Sequence, residues 1–380
     1  MICPKCGSKK ARRNGMGRLL CASCGKTSAN MSASANDQDQ TLAAVARECG
    51  QLRKENRRLL LESADLTIIK RAIGHINANL TNPPPLPIQT KKAAKIIHGM
   101  PTLMLSDLHF GAVVRKSQVN GVNQYNTDIA KTRIRTVAQR SVGFLRGALS
   151  PGDFGGCFIL NLGGDMVDGI IHDELRESSD ATVLQSLLTL LDELIPIIKM
   201  LADEFGHVRV NCVAGNHGRL DKKPRFANAA QLNFDWLLYR FLAKVIESDK
   251  KYANKVSMFV PDGMDCRYDV YKTRYLLNHG DKFKGGDGWS GVLLPWTRGE
   301  TKKAKQYNAI DLPYDHLVIG HWHQANFMRR IFGNGSLIGF DPFAMQLGFN
   351  FEPPQQILWV THPQFGAIHK TEIFAEEPKK

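Results

Sequence analysis

At 380 residues, 43% of them apolar, the chain can bury a sizeable core and hold more than one folded unit. No run reaches the ~18–20 consecutive apolar residues of a membrane span, and Met1-Ile2-Cys3 opens without a basic-then-apolar leader. A soluble, cytoplasmic protein without membrane association is therefore expected. The net charge of +14 is unevenly spread: residues 1–30 carry +7, residues 31–100 carry +4, and the remaining 280 carry only +3. A basic excess confined to one end suits an arm that meets a polyanion, the alternative being a solubilising tail.

The first element, residues 1–28, contains Cys3-Pro4-Lys5-Cys6 and Cys21-Ala22-Ser23-Cys24, separated by fourteen residues. Two Cys-x-x-Cys pairs at this spacing predict a zinc ribbon in which Cys3, Cys6, Cys21 and Cys24 hold one structural Zn²⁺. Gly7 and Gly25 each follow the second Cys of a pair, where a knuckle needs a permissive backbone. So short a unit cannot build a core alone, and the metal would supply its folding energy. Lys9, Lys10, Arg12, Arg13 and Arg18 lie between the pairs and favour a nucleic-acid backbone as partner, although zinc ribbons also dock on proteins. Of the other cysteines, Cys49, Cys157, Cys212 and Cys266 read as scattered small hydrophobes.

Residues 29–40 are small and polar and predict a flexible linker. In residues 41–80 a heptad pattern follows: Val45, Leu52, Leu59, Leu66 and Ile73 form one seam, with Leu42, Cys49, Asn56, Ser63 and Lys70 on the other. A helix over roughly 41–75 could pair two chains as a parallel coiled coil, with Asn56 setting register, or could pack as an amphipathic helix on its own chain. Thr81-Asn82-Pro83-Pro84-Pro85-Leu86-Pro87 ends it and begins a Pro-rich, basic linker over 81–100. From residue 101 short apolar runs alternate with longer periodic stretches. Strands are expected at 102–106, 157–162, 208–214, 271–278 and 317–320, and helices at 128–149, 182–205 and 229–250. Such alternation predicts an α/β domain over 101–372, followed by a charged tail at 373–380.

Five clusters fall at or just after these strands: Asp107-Leu108-His109, Gly164-Asp165-Met166-Val167-Asp168, Gly215-Asn216-His217, His279 and Gly320-His321-Trp322-His323. Carboxylate, amide and imidazole donors repeated at strand ends are what a two-metal hydrolytic centre requires. In Asp107-x-His109 the alternation of a strand would aim both side chains the same way. His75, His98, His207, His316, His362 and His369 lack ligand spacing and read as structural. Trp289 and Trp296 could stack on bases, though burial against a sheet is the commoner fate of a Trp.

Taken in order, the pattern DxH, GDxxD, GNH, a lone His and GHxH resembles the calcineurin-like metallophosphoesterases over about 270 of the residues. The resemblance implies a four-layer αββα sandwich with two divalent ions at its strand ends. By that resemblance metal one takes Asp107, His109, Asp165 and His323. Metal two takes Asp165, Asn216, His279 and His321, with Asp165 bridging. A hydroxide shared by the ions would attack phosphorus, His217 would act as general acid, and Asp168 would orient His217. Mn²⁺ is typical of the family; iron, zinc and nickel remain open on this donor set.

Two departures bear on substrate. Gly218 and Arg219 follow GNH where the family commonly has an acid. Gly169-Ile170 follows GDxxD where the protein Ser/Thr phosphatase branch has Arg. Cations instead gather after the clusters: Arg219, Lys222, Lys223 and Arg225 as substrate-binding candidates, then Lys282 and Lys284, then Arg298, Lys302, Lys303 and Lys305 on expected active-site loops. Around a metal cleft they suit a long phosphodiester, the alternative being solvated loops. The expected function is a metal-dependent phosphodiesterase acting on DNA, similar to the repair exonucleases of the superfamily. A phosphatase or cyclic-nucleotide phosphodiesterase with a docking arm is the alternative enzyme. A non-catalytic DNA-binding subunit of a replication or repair complex is the alternative of another class.

Overall fold

In the computed structural model the described residues are 2–3, 5–13, 19–25, 27–28, 51, 99–148, 156–169, 179–284, 291–346 and 348–377. The linker expected at 29–40, the helix at 41–80 apart from Gln51, Arg18, Trp289 and residues 81–98 lie outside them. The chain divides into two compact units, Met1–Ala72 and Ile73–Lys380, each described by itself.

In the first unit β1 (Ala11–Arg13), β2 (Leu19–Cys21) and β3 (Thr27–Ser28) form a small antiparallel sheet. Its described core is little more than Cys3, Ala11 and Cys21, with Cys24 against them. That is too little apolar area to hold a fold by burial alone.

The second unit carries two mixed sheets. The six-stranded sheet has the order β14-β13-β4-β5-β6-β7, from β4 (Met100–Leu105), β5 (Phe158–Leu162), β6 (Val208–Cys212), β7 (Val256–Phe259), β13 (Gln355–His362) and β14 (Gly366–Phe374). Strands β4 to β7 run parallel, which requires crossovers, and the helices α1 (Thr127–Ala148), α2 (Val183–Phe205) and α3 (Phe234–Ser248) supply them. The five-stranded sheet has the order β11-β12-β10-β9-β8, from β8 (Asp265–Val270), β9 (Thr273–Asn278), β10 (His316–Ile319), β11 (Asn326–Phe327) and β12 (Ile331–Gly333). Between the sheets lies a core of Met104, Ile159, Tyr268, Tyr275, Phe332 and Trp359 among others, all buried. Fully burying each such side chain contributes roughly 1.5–3 kcal/mol. Helices α1 and α2 pack on the six-stranded sheet and α3 on α2. On the far side α4 (Leu293–Asn308) sets Trp296 against β12. The second unit is therefore a four-layer αββα sandwich.

Local chemistry fixes the ends of the helices. Thr182 caps α2, accepting from Gln185 N while its own N–H donates to the Gln185 side chain, a capping box. Leu187, Leu190, Leu194, Ile198 and Leu201 repeat every three or four residues as its buried stripe. Helix α3 begins at Phe234 rather than at 229 because Asn233 accepts from Asp235 N and nucleates the first turn there. Within the charged tail expected at 373–380, residues 373–377 are tied to the domain. Ile373 and Phe374 complete β14, Arg133 pairs with Glu376 at 2.6 Å, and Arg140 donates to the carbonyls of Phe374 and Glu376. Strand β4 likewise begins at Met100, inside the expected linker. Among the described residues no helix is long and apolar enough to cross a membrane.

Candidate metal centre

The donors gather where β4, β5, β6, β9 and β10 end, on the loops that follow them. The Asp107–Phe110 loop and the Gly164–Asp168 loop are zipped together: Asp107 N donates to Gly164 O, His109 N to Asp165 O, Phe110 N to Met166 O and Asp168 N to Phe110 O, at 2.9–3.1 Å. Convergence of Asp107 and His109 does not come from a strand pleat, as the spacing suggested, because β4 ends at Leu105. It comes from left-handed backbone, with φ of 55° at Asp107 and 47° at His109. Asp165, His321 and His323 share that conformation, at 50°, 68° and 54°. Each such residue costs roughly 1–3 kcal/mol, and conformations of this kind cluster at working sites.

Three donor groups result, the ligand atoms of each lying within 4.8 Å of one another: Asp107, His109 and His323; Asp165, His279 and His321; and His109, Asp168 and His217. Nε2 of His109 faces Nε2 of His323 at 3.1 Å, and His323 Nε2 lies 3.6 Å from Asp107 Oδ1. Nε2 of His279 faces Asp165 Oδ2 at 2.9 Å and Asn216 Oδ1 at 3.2 Å. The other nitrogens are committed elsewhere. His279 Nδ1 donates to Gly163 O at 2.9 Å, and His109 Nδ1 lies 3.4 Å from Asp168 Oδ1. Such outer partners leave Nε2 aimed into the site, as in metal-binding histidines generally. A set of two carboxylates, one amide oxygen and four imidazoles, four of the seven buried and Asn216, His321 and His323 half-buried, fits hard-to-borderline divalent cations.

Electrostatics agree with that fit. Burial disfavours charge on His109, but the Asp168 hydrogen bond and nearby carboxylates win and push it up to about 9. Burial is likewise outweighed at His279, where Asp165 raises it to about 10. Their neighbours go the other way: burial and the His279 charge bring His321 down to about 4, and burial and His109 bring His323 down to about 3. Burial raises Asp107, whereas Asp165 is held well below the carboxylate range because His279 and His217 outweigh its burial. The pairs His109–His323 and His279–His321 thus each hold one positive charge beside one neutral imidazole, a charge that a cation would replace.

His217 stands beside these donors at the rim. Its Nδ1 donates to Asp168 Oδ1 at 2.9 Å, and its ring meets that of His109 edge-on, with centroids 4.5 Å apart. Burial pushes the Asp168 carboxyl up, but the hydrogen bonds of His109 and His217 outweigh it and hold the group below its ordinary range. Asp168 therefore steadies two imidazoles at once.

Asp235 was not anticipated from the sequence. Fully buried in the first turn of α3, it accepts from Asp165 N, Met166 N and Gly215 N at 2.9–3.1 Å, and so ties the loops of two clusters to one helix. Burial and the Asp165 charge raise its carboxyl to about 6. The Asn233-Phe234-Asp235 cap and first-turn acid were the available signal. Ser106, Asn334 and Gln356 form a second unanticipated brace. Asn334 donates to Ser106 Oγ at 2.8 Å and to Gln356 Oε1 at 2.9 Å, while Ser106 Oγ donates to Asp107.

The two departures from the family pattern have steric causes. A Cβ at Gly169 would lie 1.8 Å from His217 O, so no Arg can stand there with His217 in place. A Cβ at Gly218 would lie 2.3 Å from Asn233 Oδ1 and 3.1 Å from the Asp235 carboxylate, which occupies the space an acid at 218 would need.

The cations fare unequally. Arg219, Lys223 and Arg225 line a cavity of about 240 Å³ that adjoins Asn216; Lys222 does not line it. Arg225 pairs with Asp221 at 2.7 Å, Lys282 with Asp281 at 2.6 Å, and Arg219 donates to the carbonyls of Asp221 and Lys222. Arg298, Lys302, Lys303 and Lys305 lie on helix α4 rather than on a loop, and Lys303 pairs with Asp265 at 2.5 Å. Trp296 is fully buried, as are Cys212 and Cys266.

In the first unit the four thiols form one cluster. Cys3 and Cys24 Sγ lie 3.9 Å apart and Cys6 and Cys21 Sγ 3.7 Å apart. These separations match the edge of a tetrahedron whose centre lies about 2.3 Å from each sulfur, the Zn–S distance. Backbone N–H groups of Ser23 and Cys24 draw the Cys21 thiol down to about 6, toward the thiolate a metal needs. Gly7 and Gly25 take φ of 69° and 66°, closing the two knuckles through Gly7 N to Cys3 O and Gly25 N to Cys21 O.

No protein-family model and no curated protein matches the chain. Among solved structures it is similar to a zinc-complexed Vps29 of Entamoeba histolytica, with 12% identity over 73% of this chain and 100% of the other and a TM-score of 0.28. It is also similar to a conserved Streptococcus pneumoniae protein described as a predicted phosphoesterase, with 11% identity over 73% and 99% and a TM-score of 0.28. A dimetal phosphatase of Danio rerio gives 11% identity over 73% and 99% and a TM-score of 0.31. The two facing mixed sheets, the helices outside them and the donors at the strand ends make the second unit the four-layer αββα sandwich that the motif pattern implied.

Proposed function

We propose that the chain is a two-metal-dependent phosphodiesterase that cleaves DNA, with an N-terminal zinc ribbon that holds the polyanion. The carrying observation is the convergence of Asp107, His109 and His323, and of Asp165, His279, His321 and Asn216, beside an Asp168–His217 pair. When bound, two divalent ions at these donors supply Lewis acidity toward phosphoryl oxygens and lower the pKa of water. Asp165, central to the cluster, is the residue proposed to touch both ions.

The protein groups do the rest. With Nδ1–H donated to Asp168, His217 presents Nε2 as the atom from which a proton can be transferred. Nε2 then gives its proton to the leaving oxygen. The absence of room for an Arg at Gly169 argues against the phosphomonoester clamp of protein phosphatases. Lys5, Lys9, Lys10, Arg12 and Arg13 are all exposed on the ribbon, where they can meet a backbone of phosphates. Mn²⁺ is the ion proposed for the centre, Zn²⁺ for the ribbon, and pairing through the 41–75 helix remains part of the proposal.

The test is a substrate panel. With Mn²⁺, the purified protein should degrade linear or single-stranded DNA and act slowly on a small phosphomonoester such as p-nitrophenyl phosphate. Rapid monoester hydrolysis with intact DNA would overturn the nuclease reading.

A further inference from the structure

Phe226 is 95% exposed, at the tip of the loop that follows Gly215-Asn216-His217. A whole phenyl ring facing water, on a loop that also carries a metal donor, is free to stack against a ligand. The loop is not a featureless solvent excursion. Together with Pro224, Leu232 and Met264, the ring walls the cavity of about 240 Å³ that has Asn216 at its inner side. This lies near the roughly 300 Å³ at the lower end of ordinary small-molecule pockets and leaves room for one flat ring.

Charge in the lining restricts the occupant further. Lys223 and Arg219 line the cavity, and its two acids, Asp221 and Asp281, are engaged by Arg225 and Lys282. An apolar slot with cations and a metal donor in its lining fits a flat aromatic group covalently joined to a phosphate. Resting on the nuclease reading above, we infer that this slot takes the nucleobase next to the scissile phosphate, with Phe226 as its stacking face. Stacking on an aromatic ring is tolerant of base identity, so the slot confers preference for a based strand over a bare backbone rather than for a sequence.

The test compares strands and variants by binding, with no divalent metal added so that no turnover intrudes. Fluorescence anisotropy of the full-length protein is titrated against a labelled single strand and against a strand of the same phosphates bearing abasic residues. Wild type should bind the based strand more tightly, Phe226→Ala should lose roughly tenfold of that preference, and Phe226→Tyr should restore it. The inference is overturned if all three proteins discriminate equally, or if wild type does not discriminate. Because Phe226 is exposed, its truncation leaves the fold intact, which melting temperature verifies. Turnover of DNA with Mn²⁺, measured separately, distinguishes the two readings. Discrimination lost in Phe226→Ala without any DNA cleavage by wild type sinks the nuclease reading alone, whereas cleavage with equal discrimination sinks the slot alone.

Discussion

The residues of the centre act through what they do to one another. His109 and His279, raised to about 9 and 10 by surrounding carboxylates, carry protons at neutral pH that metal binding must expel. Loading with Mn²⁺ near pH 7 should therefore release close to two protons per chain, and affinity should rise with pH until those groups titrate; calorimetry in buffers of different ionisation enthalpy measures the count, and a count of zero contradicts the assignment. His321 and His323, lowered to about 4 and 3, are already neutral and contribute none. At the rim, Gly169→Ala places a methyl 1.8 Å from His217 O and should lower kcat on a diester at least tenfold, with a smaller effect on metal content. Equal kcat in the variant would show that His217 is not held as described. These residues differ in how far the sequence reveals them. The seven donors, His217 and Asp168 stand in short motifs with chemically expensive side chains, and the structure gathers them. Asp235 carries no motif, since its function is to accept three backbone N–H groups that only the folded loops bring to it.

At the scale of elements, α3 is the part whose disruption should cost most. Asp235→Ala would leave three buried N–H groups without an acceptor, a loss of about 3 kcal/mol or more, and should reduce metal affinity as well as the melting temperature. A variant as stable and metal-rich as wild type would mean that the loops do not depend on the helix. Strand β10 offers a pH test remote from the donors. His316 is stacked on Tyr275 and Phe332, its Nδ1 without a hydrogen-bond partner among the described residues, and burial lowers it to about 4. Its unfolded value lies near 6.5, so the unfolded chain takes up a proton first as pH falls. The stability this residue contributes is present above about 6.5 and is lost as pH falls toward 4. His316→Phe should therefore lose less melting temperature than wild type between pH 7.5 and 5, and an equal loss would refute the linkage. Helices α1 and α2 were legible because their apolar stripes are long and α2 is capped by Thr182. The apolar spacing continues back through Ala229 and hides the start of α3, whereas the Asn233 cap decides its first turn. Strands β13 and β14 were passed over because an antiparallel edge hairpin carries no chemistry to draw notice, and the acids of 373–377 look like a tail until Arg133 and Arg140 are seen to hold them.

Across the whole molecule, a cluster of four thiols in one unit and a cluster of imidazoles and carboxylates in the other call for different metals and separable functions. Removing residues 1–80 should weaken DNA binding and reduce the slope of log K against log salt by roughly two to four, as expected for the loss of several phosphate contacts. Hydrolysis of a small diester such as bis-p-nitrophenyl phosphate should change little, and an unchanged salt slope would assign the ribbon to a protein partner instead. The fold class is readable from alternating texture, because that is a property of many residues summed. Substrate is harder to read, because it depends on a few loop side chains such as Phe226 whose exposure no periodicity encodes. If the two donor groups form a catalytic two-metal centre joined at Asp165, it is read out in Mn²⁺-dependent hydrolysis of single-stranded DNA by wild type and by Asp165→Ala, with metal content determined on the same samples. The variant should retain less than about one thousandth of the activity and lose bound metal. Undiminished phosphodiester hydrolysis by Asp165→Ala would refute the two-metal centre.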